Sequence, residues 1–363
     1  MNKRFAALFL AVWMIFSLTG CGEKEDVPSN TEPEQEEVVE PTPEVTPEVD
    51  PDLPKGINPL TGLPMEPEYE ILRPFAVMLN NLKAAQPQLG VSRADIIYEI
   101  PAEGAVTRMI GIFKTLDGVE NLGSIRSTRS YYLEAALGHD AVLVHAGASP
   151  QAYREITEWG VDNVDGIKGG SMGEAFWRDA ARKQSAGYEH SLLTSGERIL
   201  AYMAKSKYAT EHADGYQYSQ TFAEDGTPAD GFVAEKITLK FSSYKTGVFE
   251  YNAETKQYMI SQYNGAYVDG NTGDQVGVTN VLVLETDIDP IPGDTAGRLN
   301  VRMTGTGEGT YFCGGKSVPI VWSKADRNSP FVYQLRDGTP LTIGKGTSYV
   351  CIMDPNSSKL NIE

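Results

Sequence analysis

Between Phe75 and His145 the chain gathers its apolar residues into short dense runs: Phe75–Leu79, Ile96–Ile100, Met109–Phe113 and Ala141–His145. Runs of this length predict short apolar strands. Helical spacing lies between and after them. Tyr131 to Leu137 predicts one helix. Ser149-Pro150 supplies a cap and a first-turn proline for a second helix, which Gly160 ends. Thr194-Ser195-Gly196-Glu197 has the spacing of a capping box ahead of Ile199, Leu200 and Met203. Strands interleaved with helices predict a mixed α/β domain over residues 53–220.

From about Gly231 the rhythm changes to alternation. Ile237-Thr238-Leu239-Lys240-Phe241 and Val281-Leu282-Val283-Leu284 read as strands between Gly, Asn and Asp turns. Phe331–Leu335, the Asp337-Gly338 pair and Pro340–Ile343 read as a hairpin. Residues 231–363 are therefore expected to form a β-rich domain, a sandwich or an open barrel. The whole is an α+β protein, with an N-terminal mixed α/β domain followed by a β-rich one. Gly305-Thr306-Gly307-Glu308-Gly309 has no helix after it and reads as a turn, while Tyr311, Trp322 and Phe331 read as core.

The N-terminus follows neither rhythm. Lys3 and Arg4 precede an uncharged apolar run, Phe5 to Leu18, and then Leu18-Thr19-Gly20-Cys21. A basic start, a short apolar stretch and small residues describe a secretory signal peptide over 1–20. The box resembles the lipobox of bacterial lipoproteins, which implies acylation of Cys21 with diacylglycerol and palmitate-type chains. Two or more such chains hold a protein on a bilayer. Residues 21–52 follow as an acidic stalk, with prolines at 28, 33, 41, 43, 47 and 51 and hardly a large apolar side chain. The chain is expected on the extracytoplasmic face of the cell membrane, anchored through Cys21.

Charge alters little in this picture. Of the formal −18, the stalk from Glu23 to Asp52 holds twelve acidic residues and one lysine, a net of −11. With Lys3 and Arg4 set aside, −9 remains from Leu53 onward. No basic stripe points to nucleic acid. Cys313 and Cys351 are candidates for a disulfide in an oxidising compartment, or for two buried thiols. Neither lies near a second metal-type ligand, so no metal is expected, and no motif implies a cofactor.

Several uncommon motifs occur in order. They are Pro87-Gln88 with Gly90, Ala94-Asp95-Ile96-Ile97-Tyr98-Glu99, Glu103-Gly104 with Thr107-Arg108, Gly123-Ser124-Ile125-Arg126-Ser127-Thr128-Arg129, and Phe176-Trp177-Arg178-Asp179. In these the chain resembles the YerB-like lipoproteins, a two-domain family of unknown function. The resemblance covers the chain after Lys55 and implies no reaction. Where the family pattern calls for Pro-His-Asn, this chain has Glu189-His190-Ser191.

The candidate chemistry lies in the same motifs. Arg108, Arg126 and Arg129 flank strand ends beside hydroxyls, and arginine forks grip carboxylate or phosphate. Ser127 to Ser130 leads into a helix, whose free N–H groups suit an anion. His145 ends a strand, and His190 and Arg178 are expected to approach it. Glu99 and Glu103 either brace the arginines or line the pocket with them. The leading expectation is a binding module for an anionic group on a cell-wall polymer or envelope protein. An envelope hydrolase using Glu99 or His145, and a protein-interaction scaffold, are the alternatives. A Ser149–His145 triad is set aside, because Ser149 reads as a helix cap.

Overall fold

The structure, a computed structural model, describes residues 56–363. The signal peptide, Cys21 and the stalk lie outside the described residues. From Pro54 to Glu363 the chain gathers into one compact unit.

Its centre is an eleven-stranded sheet. In chain order the strands are β1 (Phe75–Asn80), β2 (Ile96–Ala102), β3 (Val106–Phe113), β4 (Val142–His145), β5 (Asn163–Asp165), β6 (Phe232–Val233), β7 (Asn280–Glu285), β8 (Gly305–Cys313), β9 (Lys316–Lys324), β10 (Val332–Leu335) and β11 (Ser348–Met353). Across the sheet the order is β6-β9-β8-β7-β11-β2-β3-β1-β4-β5, with β10 also paired to β9. β1, β4 and β5 are mutually parallel, as are β7, β11 and β2; β3 runs antiparallel between β2 and β1. Apolar residues at successive positions give both faces something to bury, as the dense runs require. Val77, Leu79, Ile97, Met109, Val144, Val283, Tyr349 and Cys351 pack on one face. Ala76, Met78, Tyr98, Ile110, Leu143, Leu282, Tyr311 and Val350 pack on the other.

The first face is covered by a second sheet of six strands, chiefly Lys236–Lys240, Thr246–Asn252 and Gln257–Gln262. The opposite face is covered by two helices, α1 (Ser130–Gly138) and α2 (Pro150–Glu158). Two more helices follow, α3 (Ala180–Ser185) and α4 (Gly196–Met203), and α4 packs Ile199 and Met203 against the first face. No helix among the described residues is long and apolar enough to cross a membrane.

The predicted strands and helices stand where the pattern put them, and Ser149 caps α2 by accepting from Ala152 N at 3.1 Å. The Asp337-Gly338 hairpin also forms, with Gly338 at φ 88° and Leu335 N donating to Thr339 O at 2.8 Å. Three expectations change, and one pair of alternatives is resolved. In place of a separate sandwich or open barrel, the second segment lays β7, β8, β9 and β11 into the same sheet as β1 to β5, and β11 pairs with β2 in the register Tyr349↔Ile97 and Cys351↔Glu99. Gly305 to Gly309 is strand, not turn. Trp322 lies flat against it, and a Cβ on Gly307 would sit 2.5 Å from the indole nitrogen. The cap of α4 is Ser195, which accepts from Arg198 N, while Thr194 is buried and donates to Ala175 O. Finally, Cys313 and Cys351 are free thiols. They are two strands apart and on opposite faces of the sheet, so no disulfide joins them.

Candidate functional site

Because β1 and β4 are parallel and β3 antiparallel, one end of the sheet collects the carboxyl ends of β1 and β4 and the start of β3. Open sheets most often place their ligands at such an end. Asn80 and Asn81 leave β1 here, opposite Arg108 of β3. His145 closes β4, and the segment Arg126–Arg129 runs alongside it. Ala146 N donates to Arg126 O, Ser127 Oγ to Ala146 O at 2.9 Å, and Thr128 N to Gly147 O. The three arginines thus share one end of the sheet, with Arg108 reaching the segment through Ser127 O.

They are not equivalent. Arg108 Nη2 donates to Glu103 Oε1 at 2.7 Å and Nη1 to Ser127 O at 2.9 Å. Arg129 joins the same carboxylate, with Nε 3.2 Å from Oε2 and Nη2 on Oε1. Burial pushes the Glu103 carboxyl up, but the Arg129 hydrogen bond and the charges of both arginines outweigh it and hold the group down at about 2. Glu103 therefore consumes two of the three forks. Arg126 differs: among the described residues its one carboxylate partner is Glu189, at 2.9 Å, whose side chain is 67 % exposed.

His190 stands next to that pair. Its Nδ1 lies 2.8 Å from Asn80 Nδ2, and Asn80 Oδ1 is turned to accept from Leu82 N. An amide nitrogen only donates, so Nδ1 is the acceptor and the ring proton sits on Nε2. Burial and the Arg126 charge lower the imidazole's affinity for a second proton. Among the described residues nothing hydrogen-bonds to Nε2. The FWRD motif holds this turn in place. Arg178 stacks 3.8 Å over the Tyr188 ring and donates to Tyr188 O, while Asp179 caps α3. Arg182 donates to the carbonyls of Ala85 and Pro87, tying the turn to the Pro87-Gln88 motif.

Two of the expected site residues do not join it. His145 is fully buried, with Nδ1 on Gly147 O at 2.9 Å and Nε2 on Asn163 Oδ1 at 3.1 Å, so neither nitrogen is available to a substrate. Glu99 points into the space between the two sheets. Asn81 Nδ2 (2.8 Å), Thr107 Oγ1 (2.5 Å) and Lys245 Nζ (3.1 Å) meet its Oε1, and Tyr349 Oη (2.6 Å) meets Oε2. That geometry gives neither residue access to a substrate arriving from solvent. Glu103 also lines a cleft of about 560 Å³ with Ser242 and Asp354, but two carboxylates suit an anion poorly. The residues missed from sequence are Asn80, Asn81 and Gln88. Gln88 Nε2 donates to Asn80 O at 2.7 Å, while its Oε1 and Ser124 Oγ are buried without a partner among the described residues. A polar Asn-Asn pair directly after an apolar run was the available signal.

Two family profiles match. Residues 60–209 fit the one described as "Protein of unknown function (DUF3048) N-terminal domain", and residues 237–350 fit its C-terminal counterpart. The chain is 28 % identical over 353 residues to "Putative lipoprotein YerB" of Bacillus subtilis strain 168, covering 97 % of this chain and 96 % of that protein. The crystal structure of the YerB protein from Bacillus subtilis superposes with a TM-score of 0.74 at 26 % identity. It covers 85 % of this chain and 100 % of the crystallised one.

Proposed function

This chain belongs to the YerB-like, two-part DUF3048 family, and from that premise we propose that it is a lipid-anchored envelope protein that binds an anionic group at Arg126 and His190. The anchor rests on the Leu18-Thr19-Gly20-Cys21 box and on the name of the Bacillus subtilis relative. Acylated at Cys21, the chain stands on the extracytoplasmic face, with the acidic segment carrying the folded unit outward. The first segment supplies the site as a mixed α/β layer, with β1 and β4 as its floor and α1 behind.

One observation carries the binding reading. Of the three arginines, Arg126 alone is held by an exposed carboxylate. An exposed ion pair is worth about 0–1 kcal/mol, so a ligand can replace Glu189 at little cost. Beside it His190 offers Nε2–H. Two donors side by side fit a carboxylate or phosphate on a wall polymer or envelope protein.

Thermal-shift titration of the unit from Pro54 to Glu363 with inorganic phosphate, acetate and muropeptides tests this. Saturation at a hundred times the dissociation constant stabilises a fold by about 2.7 kcal/mol. The expected result is a shift in the wild type that Arg126→Ala abolishes while its own melting point holds. A shift that is the same in both proteins, or none with any probe, overturns the reading; the latter leaves a protein-docking scaffold.

A further inference from the structure

The network around Glu99 contains one group that an ion pair alone leaves unexplained. Lys245 Nζ donates to Gln262 Oε1 and stands 3.1 Å from Glu99 Oε1, yet Gln262 Nε2 is buried with no hydrogen-bond partner among the described residues. Buried N–H groups are nearly always paired, and a bare one costs about 1–3 kcal/mol. The two residues come from adjoining strands of the second sheet. Lys245 immediately precedes Thr246–Asn252, and Gln262 ends Gln257–Gln262, opposite Gly247. Both side chains occupy the space between the sheets, where Lys245 is 1 % exposed, Gln262 4 % and Glu99 1 %.

An amine, a carboxamide and a carboxyl group held together away from water are the reactants of a transamidation. We infer that Lys245 and Gln262 become joined by an intramolecular isopeptide bond, which the folded chain forms itself with Glu99 carrying the protons. Lys245 first passes a proton to Glu99. Burial weakens the ammonium's hold on it, against the pull of the carboxylate. The free Nζ attacks Gln262 Cδ and the new N–C bond forms. Glu99 delivers its proton to Nε2 and takes one from Nζ; the Cδ–Nε2 bond breaks and ammonia leaves. No oxidant, cofactor or second substrate is consumed. Tyr349, Thr107 and Asn81 hold the carboxyl beside the reacting atoms. Fixed proximity of this kind is worth effective concentrations of about 10⁵–10⁸ M. The inference stands apart from the anion site, and either can fail alone.

Tryptic peptide mapping of the full chain by mass spectrometry decides the matter. The expected result is a branched peptide joining the segments around Lys245 and Gln262, lighter than the two linear peptides together by one ammonia. Cleavage after Lys245 is lost with it. Lys245→Arg should return the linear peptides, and Glu99→Gln should do so while leaving both reacting side chains in place. If a variant fails to fold, the wild-type map still answers. Linear peptides at full yield in the wild type, or an ammonia loss mapped to other residues, overturn the inference.

Discussion

Glu99 lies in the middle of β2 and Glu103 just past its end, and their surroundings could hardly differ more. Glu99 sits between two sheets with a lysine, a tyrosine, a threonine and an asparagine around it. Glu103 lies at the rim, gripped by two guanidinium forks. The inner site uses a lysine, whose compact ammonium can give up its proton when buried; the outer uses arginines, which cannot. The same side chain is thus a reactive neighbour in one place and a fixed brace in the other. Depth and partner decide which.

The largest effect should come from breaking the inner pair. Glu99→Gln leaves the Lys245 charge uncompensated in the interior, which costs about 3–5 kcal/mol before any covalent contribution. Urea unfolding of the unit from Pro54 onward measures it. A loss no greater than that of a surface change would erase the distinction between the two sites. Next comes the rim. Glu103→Gln weakens charge-assisted bonds from two arginines and should cost about 1.5–3 kcal/mol. Its pH dependence is specific. The Glu103 carboxyl is depressed from 4.5 to about 2, so its contribution is fully present above pH 4.5 and fades as the pH falls towards 2. Glu103→Gln should remove that slope, and an unchanged acid profile would count against the two-arginine brace. The smallest change in stability belongs to Arg126→Ala, within about 0.5 kcal/mol, because its partner is exposed. Loss of anion binding at unchanged stability would set Arg126 apart from its two neighbours.

Much of this was legible locally. The runs at Phe75–Leu79 and Ile96–Ile100 announced strands, and Ser149-Pro150 announced a helix start. The arginine motif could be read from the chain, but not that Glu103 takes Arg108 and Arg129 while Arg126 pairs with Glu189. What escaped depended on distant partners. Lys245 and Gln262 look like solvent-facing polar positions until a second layer covers them. Cys313 and Cys351 look pairable until register sends them to opposite faces. Gly305 to Gly309 looks like a turn until Trp322 is laid across it. Pairing partners hundreds of residues apart leave no periodic trace, and glycine reports only that something comes close.

The insertion of β11 between β7 and β2 bears on how the polypeptide is made. During synthesis β2 emerges early, with β3 to pair on one side and an empty edge on the other. That edge stays open until residues 348–353 arrive, since no earlier segment occupies the position. Pairings over such separations form slowly and leave strand edges exposed to other chains meanwhile. A premature stop codon shortly before Ser348 would therefore not trim a margin; it would take out the plank on which the two halves meet.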